Sequence, residues 1–517
     1  MTGGAQALAL SPWCADLASW LPAVLMSVGV LGLLRALAMR RLSPGRAGRY
    51  AWWHGSTWLL GATGWTYVSL HTYGGMPAGV AGGAVVGLCL ALSVYMGLAG
   101  WAWSRWSCGH AGKDALLWMA LWLLAEVARA DIFTGFPWGA SGYVLIDTPL
   151  VGLAPWLGVY GMGAAWVGAL AWVSWASGAH WSWRGVGGRA LWLAVAVAAL
   201  AWSGPGRFTQ RQGAPLSLSL IQGNVPQSEK FAVENQWPHV LWHAEQVIAA
   251  PGRLVVAPET AITYLPQQLP EFFWPQFAAG FAARPGRVAL IGMPLGDEKR
   301  GFLNAVVTLT ESGQGKPGQG EPGEGYRYAK HHLVPFGEFI PFGFHWFVNL
   351  MNMPLGDFSR GPLAAPSLAL DGQRVAPTIC YEDLYGEEIA TRFVVASQSP
   401  TLMVNVSNLA WFGERVAIHQ HLQIARMRSL EFQVPTARAT NTGATVVIDE
   451  QGRVTAALPF NTQGVLNASV QGMAGVTPFA WWAGRWRLWP CWLFGGAVLL
   501  WAVKRQRDAA KNSAHIH

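Results

Sequence analysis

The sequence predicts a multi-span α-helical membrane part joined to an α/β domain that faces water. Three observations carry this reading. The chain of 517 residues is 52% hydrophobic and 12% charged, with 31 tryptophans, a balance too apolar for an ordinary soluble domain. Long apolar runs fill its N-terminal part and return near its end. Between them lies a more polar stretch in which short β-branched runs alternate with helix-like segments.

The apolar runs lie near Trp20–Leu37, Ser56–Leu70, Ala78–Ala99, Ala115–Ala130, Val151–Val173, Ala190–Trp202 and Trp486–Val503. A crossing helix takes about 20 residues, so each boundary is soft by several positions. Charge orients them. Arg35, Arg40, Arg41, Arg46 and Arg49 follow the first run, and Arg105 and Lys113 follow the third. Arg184 and Arg189 follow the fifth, and Lys504, Arg505 and Arg507 follow the last. Such loops are cytoplasmic by the positive-inside rule. The alternate connections HTYGGMP (71–77) and TGFPWGASGY (134–143) hold no Lys or Arg. Segment 203–485 is therefore expected outside the cytoplasmic membrane. Glu126 and Arg129, one turn apart near the end of a span, read either as a mutual pair or as functional intramembrane charges.

The formal charge of +8 sits beside the apolar runs, with no helix-turn-helix, zinc finger or arginine-rich tract, so nucleic acid is excluded as a partner. Five cysteines, at 14, 89, 108, 380 and 491, show no CxxC pair and no metal-like spacing with histidine. No metal and no cofactor are expected.

Segments 217–225, 253–259, 287–294, 376–383, 402–408 and 445–454 read as strands, and HQHLQIARMRSLEFQ (419–433) as a helix. Together they predict a largely buried sheet. ESGQGKPGQGEPGEG (311–325) reads as a flexible surface loop. The resulting division is 1–203 for the N-terminal helices, 204–480 for the α/β domain, and 481–517 for a last helix with a basic tail.

Strand-like runs deliver Glu259 and Cys380, and Lys330 follows the low-complexity loop. Residues just past strand ends converge on one crevice in open α/β sheets. Alone, each has an ordinary explanation: a helix-start charge, a packed thiol, a solvated ammonium. Together they form a working set. A thiol with a free pKa of about 8.5 needs a base to become a nucleophile. A carboxylate supplies one, and an ammonium stabilises the oxyanion that follows. No second cysteine stands in 203–485 to form a disulfide with Cys380, which favours a nucleophile over packing.

These contexts resemble the Glu-Lys-Cys set of the nitrilase (carbon–nitrogen hydrolase) superfamily. QGNVPQSEKF (222–231), PETAI (258–262), KHHLVPFGEFIP (330–341), ICYED (379–383), NVSNLAWFG (405–413) and QHLQIARMRSLE (420–431) are similar, in order, to its membrane-bound apolipoprotein N-acyltransferase family. GGMP (74–77) and TGFPW (134–138) extend the resemblance into the membrane part.

The resemblance implies an αββα sandwich in the periplasm, carried by a multi-pass protein of the bacterial inner membrane. It implies acyl transfer from a glycerophospholipid to the N-terminal α-amine of the lipid-modified cysteine of an apolipoprotein. Glu259 would be general base, Lys330 the oxyanion stabiliser and Cys380 the nucleophile, with a thioester between two half-reactions. Glu338 would support the site, and Tyr381, Glu382, Trp411 and Phe412 would line it. A monomer is expected. Phe231 stands where the family usually has Trp, and Leu409 where it usually has Asp; Leu409 is expected to be a tolerated departure. Only MTGGAQALALSPW precedes the first long run, where the family usually has one more span.

The aromatic run PFGFHWFVNLMNMPLG (341–356) reads equally as core or as an interfacial cover. Two other functions stay open at this level. One is a membrane-tethered amidase that uses water as acceptor. The other is a transporter or scaffold whose outer domain only binds ligands, against which the retained Cys380 speaks.

Overall fold

The computed structural model describes residues 2–39, 42–174, 183–204, 206–310, 325–341, 343 and 358–514. Apart from Gly325, Pro341 and Gly343, the loop at 311–325 and the aromatic run at 341–356 lie outside them. The chain divides into two compact units. One comprises Met1–Thr66, Gly79–Gly206 and Trp486–His517; the other comprises Tyr67–Ala78 and Arg207–Arg485.

The first unit is helical. Among the described residues, Leu21–Ala38, Ala78–Trp106 and Pro149–Ser174 are long and apolar enough to cross a membrane; Trp489–Asn512 makes a fourth only if counted as one span with Pro478–Trp486, nearly all of which belongs to the second unit. The runs expected at 115–130 and 190–202 are also helical, and that at 56–70 is partly so. They do not qualify as single spans by length and composition. Helix Ala111–Asp131 shows why, since Lys113, Asp114, Glu126, Arg129 and Asp131 interrupt its apolar surface. The residues before the first long run form two short helices, Thr2–Ala9 and Pro12–Leu17.

Small residues allow close helix contact. A Cβ on Gly100 would stand 2.5 Å from Ala51 Cβ and 2.9 Å from Ala47 O, so Pro44–Thr63 and Val94–Trp106 meet backbone to backbone. Glu126 and Arg129 both reach into the TGFPWGASGY connection. Glu126 accepts from Ser141 N (2.8 Å) and Ser141 Oγ (3.0 Å), while Arg129 donates to Phe136 O (2.8 Å) and Trp138 O (2.6 Å). These bonds satisfy two buried charges and tie down irregular backbone at one stroke.

The second unit holds two six-stranded sheets. The first runs in the order Gly464–Val470, Leu216–Gln222, Leu254–Val256, Val288–Asp297, Gly301–Thr310 and Arg327–Ala329, with its second, third and fourth strands parallel. The other runs Val454–Ala457, Val446–Ile448, Thr436–Thr440, Leu402–Ser407, Gln373–Ile379 and Leu368–Leu370, parallel among its third to fifth strands.

Side-chain alternation explains the layering. Leu218, Leu220, Leu254, Val256 and Leu290 point into one cluster with Val375, Ile379, Val404, Val406 and Ala437 of the other sheet. Their neighbours Ile221, Val255, Ala289 and Ile291 point the opposite way, onto helices carrying Val240, Val247, Phe277 and Phe281. Strands buried on both faces read as continuous apolar runs, which is why they were legible in the sequence. Helix Val416–Phe432 lends Phe432 to a cluster with Met403 of the second sheet and Phe393 and Phe479. The result is helix, sheet, sheet, helix: the αββα sandwich.

Candidate active site

Glu259 and Lys330 come from the first sheet and Cys380 from the second. Past strand Leu254–Val256, Ala257 N still bonds Leu290 O at 2.8 Å, so the chain stays on the sheet until it turns at Glu259. Gly292 permits that turn: a Cβ there would stand 2.3 Å from Pro258 O. Lys330 follows strand Arg327–Ala329, fixed by Lys330 N to Asn304 O (2.8 Å) and Gly361 N to Lys330 O (2.8 Å). Cys380 follows strand Gln373–Ile379 with φ at +50°, a left-handed conformation that costs a non-glycine residue energy and is found at sites where geometry matters.

The three meet. Lys330 Nζ lies 3.4 Å from Glu259 Oε1 and 2.9 Å from Glu338 Oε1. Asn304 Nδ2 donates to the same two oxygens, at 2.8 Å and 2.7 Å. Asn408 N donates to Glu259 Oε2 at 2.8 Å, and Val334 N to Glu338 Oε2 at 2.8 Å. Burial disfavours the Lys330 ammonium, but Glu338 and Glu259 outweigh it and hold its pKa above the usual lysine value. Burial pushes the Cys380 thiol up, and the charge of Glu259 pushes it further, against the pull of Lys330 and the Asn408 N–H. Both effects favour the protonated thiol at rest.

A second layer holds the Cys380 turn. Glu382 accepts from Ile379 N (2.7 Å), His331 N (2.7 Å), His332 N (3.3 Å) and the Tyr328 hydroxyl (2.8 Å). Glu382 lies 5% exposed, and these bonds clamp the Cys380 turn to the Lys330 strand end. His421 Nε2 lies 3.2 Å from Cys380 O. Burial and then Arg438 hold His421 well below its usual pKa, so the ring is neutral. Arg438 donates to Nδ1 at 2.7 Å, which leaves Nε2–H to donate to the carbonyl.

Tyr381 is 6% exposed and accepts from the Tyr385 hydroxyl at 3.1 Å. Trp411 meets Tyr73 edge to face at 5.8 Å, Phe412 packs on the inter-sheet cluster, and Phe231 is 44% exposed. Leu409 is 1% exposed inside that cluster. An Asp at 409 would therefore be buried among apolar side chains.

Sequence reasoning missed Asn304 and Lys230. Asn304 sits in GFLNAVVTLT, a lone amide in an apolar strand, which is the signal that would have marked it. Lys230 donates to Glu259 O at 3.0 Å from the QGNVPQSEKF motif.

The carbon–nitrogen hydrolase family matches residues 217–479, and the apolipoprotein N-acyltransferase N-terminal domain matches residues 2–171. The apolipoprotein N-acyltransferase of Verminephrobacter eiseniae is 42% identical over 98% of this chain and 96% of its own. The chain belongs to the apolipoprotein N-acyltransferase family. The Ralstonia nicotianae apolipoprotein N-acyltransferase is also 42% identical, over 93% of this chain and 89% of its own. A solved carbon–nitrogen hydrolase from Helicobacter pylori G27 aligns at 15% identity and a TM-score of 0.34, over 54% of this chain and 94% of that one. As an apolipoprotein N-acyltransferase family member, this acyltransferase joins a helical unit with spans to a nitrilase-like unit.

Proposed function

We propose that this enzyme moves a fatty acyl chain from a membrane glycerophospholipid to the N-terminal α-amine of the S-diacylglyceryl cysteine of apolipoproteins. The inner membrane carries it, with the catalytic unit in the periplasm. The reading rests on one observation above others: a buried thiol on a strained turn feels the charge of a carboxylate that is itself held by Lys330, Asn304 and Asn408 N.

Glu259 takes the Cys380 proton, and the thiolate attacks an ester carbonyl of the phospholipid. Negative charge moves from sulfur to the carbonyl oxygen, where the Lys330 ammonium stabilises it. The C–O bond breaks, the leaving alkoxide takes the proton from Glu259, and lysophospholipid departs. The neutral α-amine then attacks the thioester. Its proton passes to Glu259 and on to sulfur as the C–S bond breaks.

Steady-state kinetics with phospholipid and a synthetic diacylglyceryl-cysteine peptide test the proposal. Parallel double-reciprocal lines, with acylated peptide as product, are expected. Intersecting lines overturn the two-step route, and free fatty acid in place of acylated peptide favours the amidase-like reading. Glu259→Gln and Lys330→Met should each lose on the order of 100-fold or more in turnover. Near-normal turnover in either variant removes its assigned role.

A further inference from the structure

We infer that Lys230 is the base that takes the first proton from the incoming α-ammonium in the second half-reaction. The inference rests on the acyl transfer proposed above. Proton accounting calls for such a group. An α-amine with an ordinary pKa of about 8 arrives mostly as ammonium and must shed two protons to become an amide N–H. Glu259 handles one, which ends on the departing Cys380 sulfur. The other needs a different acceptor.

Lys230 lies 4% exposed beside Glu259. Lys330 is pinned as a cation by two carboxylates, whereas the hydrogen bond of Lys230 goes to the main-chain carbonyl of Glu259. A carbonyl accepts from a neutral amine as well as from an ammonium, and the neutral amine keeps its lone pair. Burial lowers the Lys230 pKa to about 8, against the raising pull of Glu259 and Cys380, which matches the acceptor it would deprotonate.

The titratable neighbours on the packed elements are Glu259, Cys380 and, from helix Val233–Ala249, His243. Lys330 and Glu338 stand beyond Glu259. Burial brings His243 to about 4, so it is neutral and too weak a base for this proton. Lys230 Nζ takes a proton from the α-ammonium, the freed lone pair forms the C–N bond, and the C–S bond breaks. Lys230 then returns its proton to water.

The test separates the half-reactions in the full-length enzyme. Wild type, Lys230→Met and Lys230→Arg are first loaded with phospholipid and the thioester is quantified. The diacylglyceryl-cysteine peptide is then added and thioester decay followed from about pH 7 to about pH 9. Both variants should lose about 10-fold in aminolysis near pH 7, where only about a tenth of the acceptor is neutral on its own, and clearly more than they lose in loading. The gap should close toward pH 9, where the acceptor is already neutral. Arginine keeps the positive charge but cannot serve as base, so fast aminolysis at pH 7 in Lys230→Arg overturns the inference. So does a gap that persists at high pH, or an equal loss in both steps. If wild type forms no thioester, the acyl-transfer proposal falls first and this inference with it.

Discussion

At Asn304 a single side-chain nitrogen serves two carboxylates, the same Glu259 and Glu338 oxygens that Lys330 Nζ contacts. Removing it leaves each buried carboxylate one donor short, and Asn304→Leu should lower turnover by about 10-fold. Asn304→Asp should be worse, by about 100-fold, because it adds a third negative charge to the cluster. Equal effects would show that the amide only fills space. The raised Cys380 pKa has a sign that can be read directly. With the thiol pushed up by burial and by Glu259, iodoacetamide labelling of Cys380 without substrate should keep rising well past the ordinary thiol midpoint of about 8.5. Lys330→Met removes a charge that favours the thiolate and should push the profile higher still; a shift downward contradicts the electrostatics. Leu409→Asp should cost about 3 kcal/mol or more of stability, read as a large drop in the denaturation midpoint, because its carboxylate would be buried without a built partner.

The strand-end turns position the chemistry, and Gly292 is where one can be moved. Its added Cβ would press on Pro258 O and sit 2.8 Å from Glu259 Cα. Gly292→Ala should displace the carboxylate and cost about 10-fold or more in turnover while Cys380 alkylation persists, since small misplacements are expensive in catalysis. Unchanged turnover would mean the turn relaxes freely. Which elements were legible follows from burial. Strands such as Leu216–Gln222 and Leu402–Ser407 are buried along nearly their whole length and announce themselves by closely spaced Leu, Ile, Met and Val. Arg327–Ala329 and Leu368–Leu370 are three residues long and partly exposed, too short to carry a period. Thr436–Thr440, reading TARAT, is fully buried yet polar, because Arg438 is spent on Asp383 and His421. Sequence pattern cannot foresee a charge satisfied by partners distant in the chain. The same limit hid Asn304 and the inward role of Glu382, while Glu259, Lys330 and Cys380 stood out because each ends a strand or opens a motif.

At the scale of the whole chain, the apolar runs and basic loops make a topological claim. A fluorescent reporter that matures only in the cytoplasm, inserted in the 311–325 loop, should stay dark; a bright fusion would invert the assignment. Helices such as Ala111–Asp131 carry too much charge to be recognised as spans by composition alone, so orientation is better tested at the loops. On the proposed route, Cys380 holds the acyl group between a lipid donor and a lipid-bearing acceptor. Mass spectrometry of the intact enzyme after incubation with phospholipid alone tests it most directly. Wild type should gain the mass of one acyl chain, mapped to Cys380 and released by neutral hydroxylamine, and Cys380→Ala should gain none. An acyl chain on another residue, or no adduct while acylated peptide still forms once acceptor is added, would contradict the account.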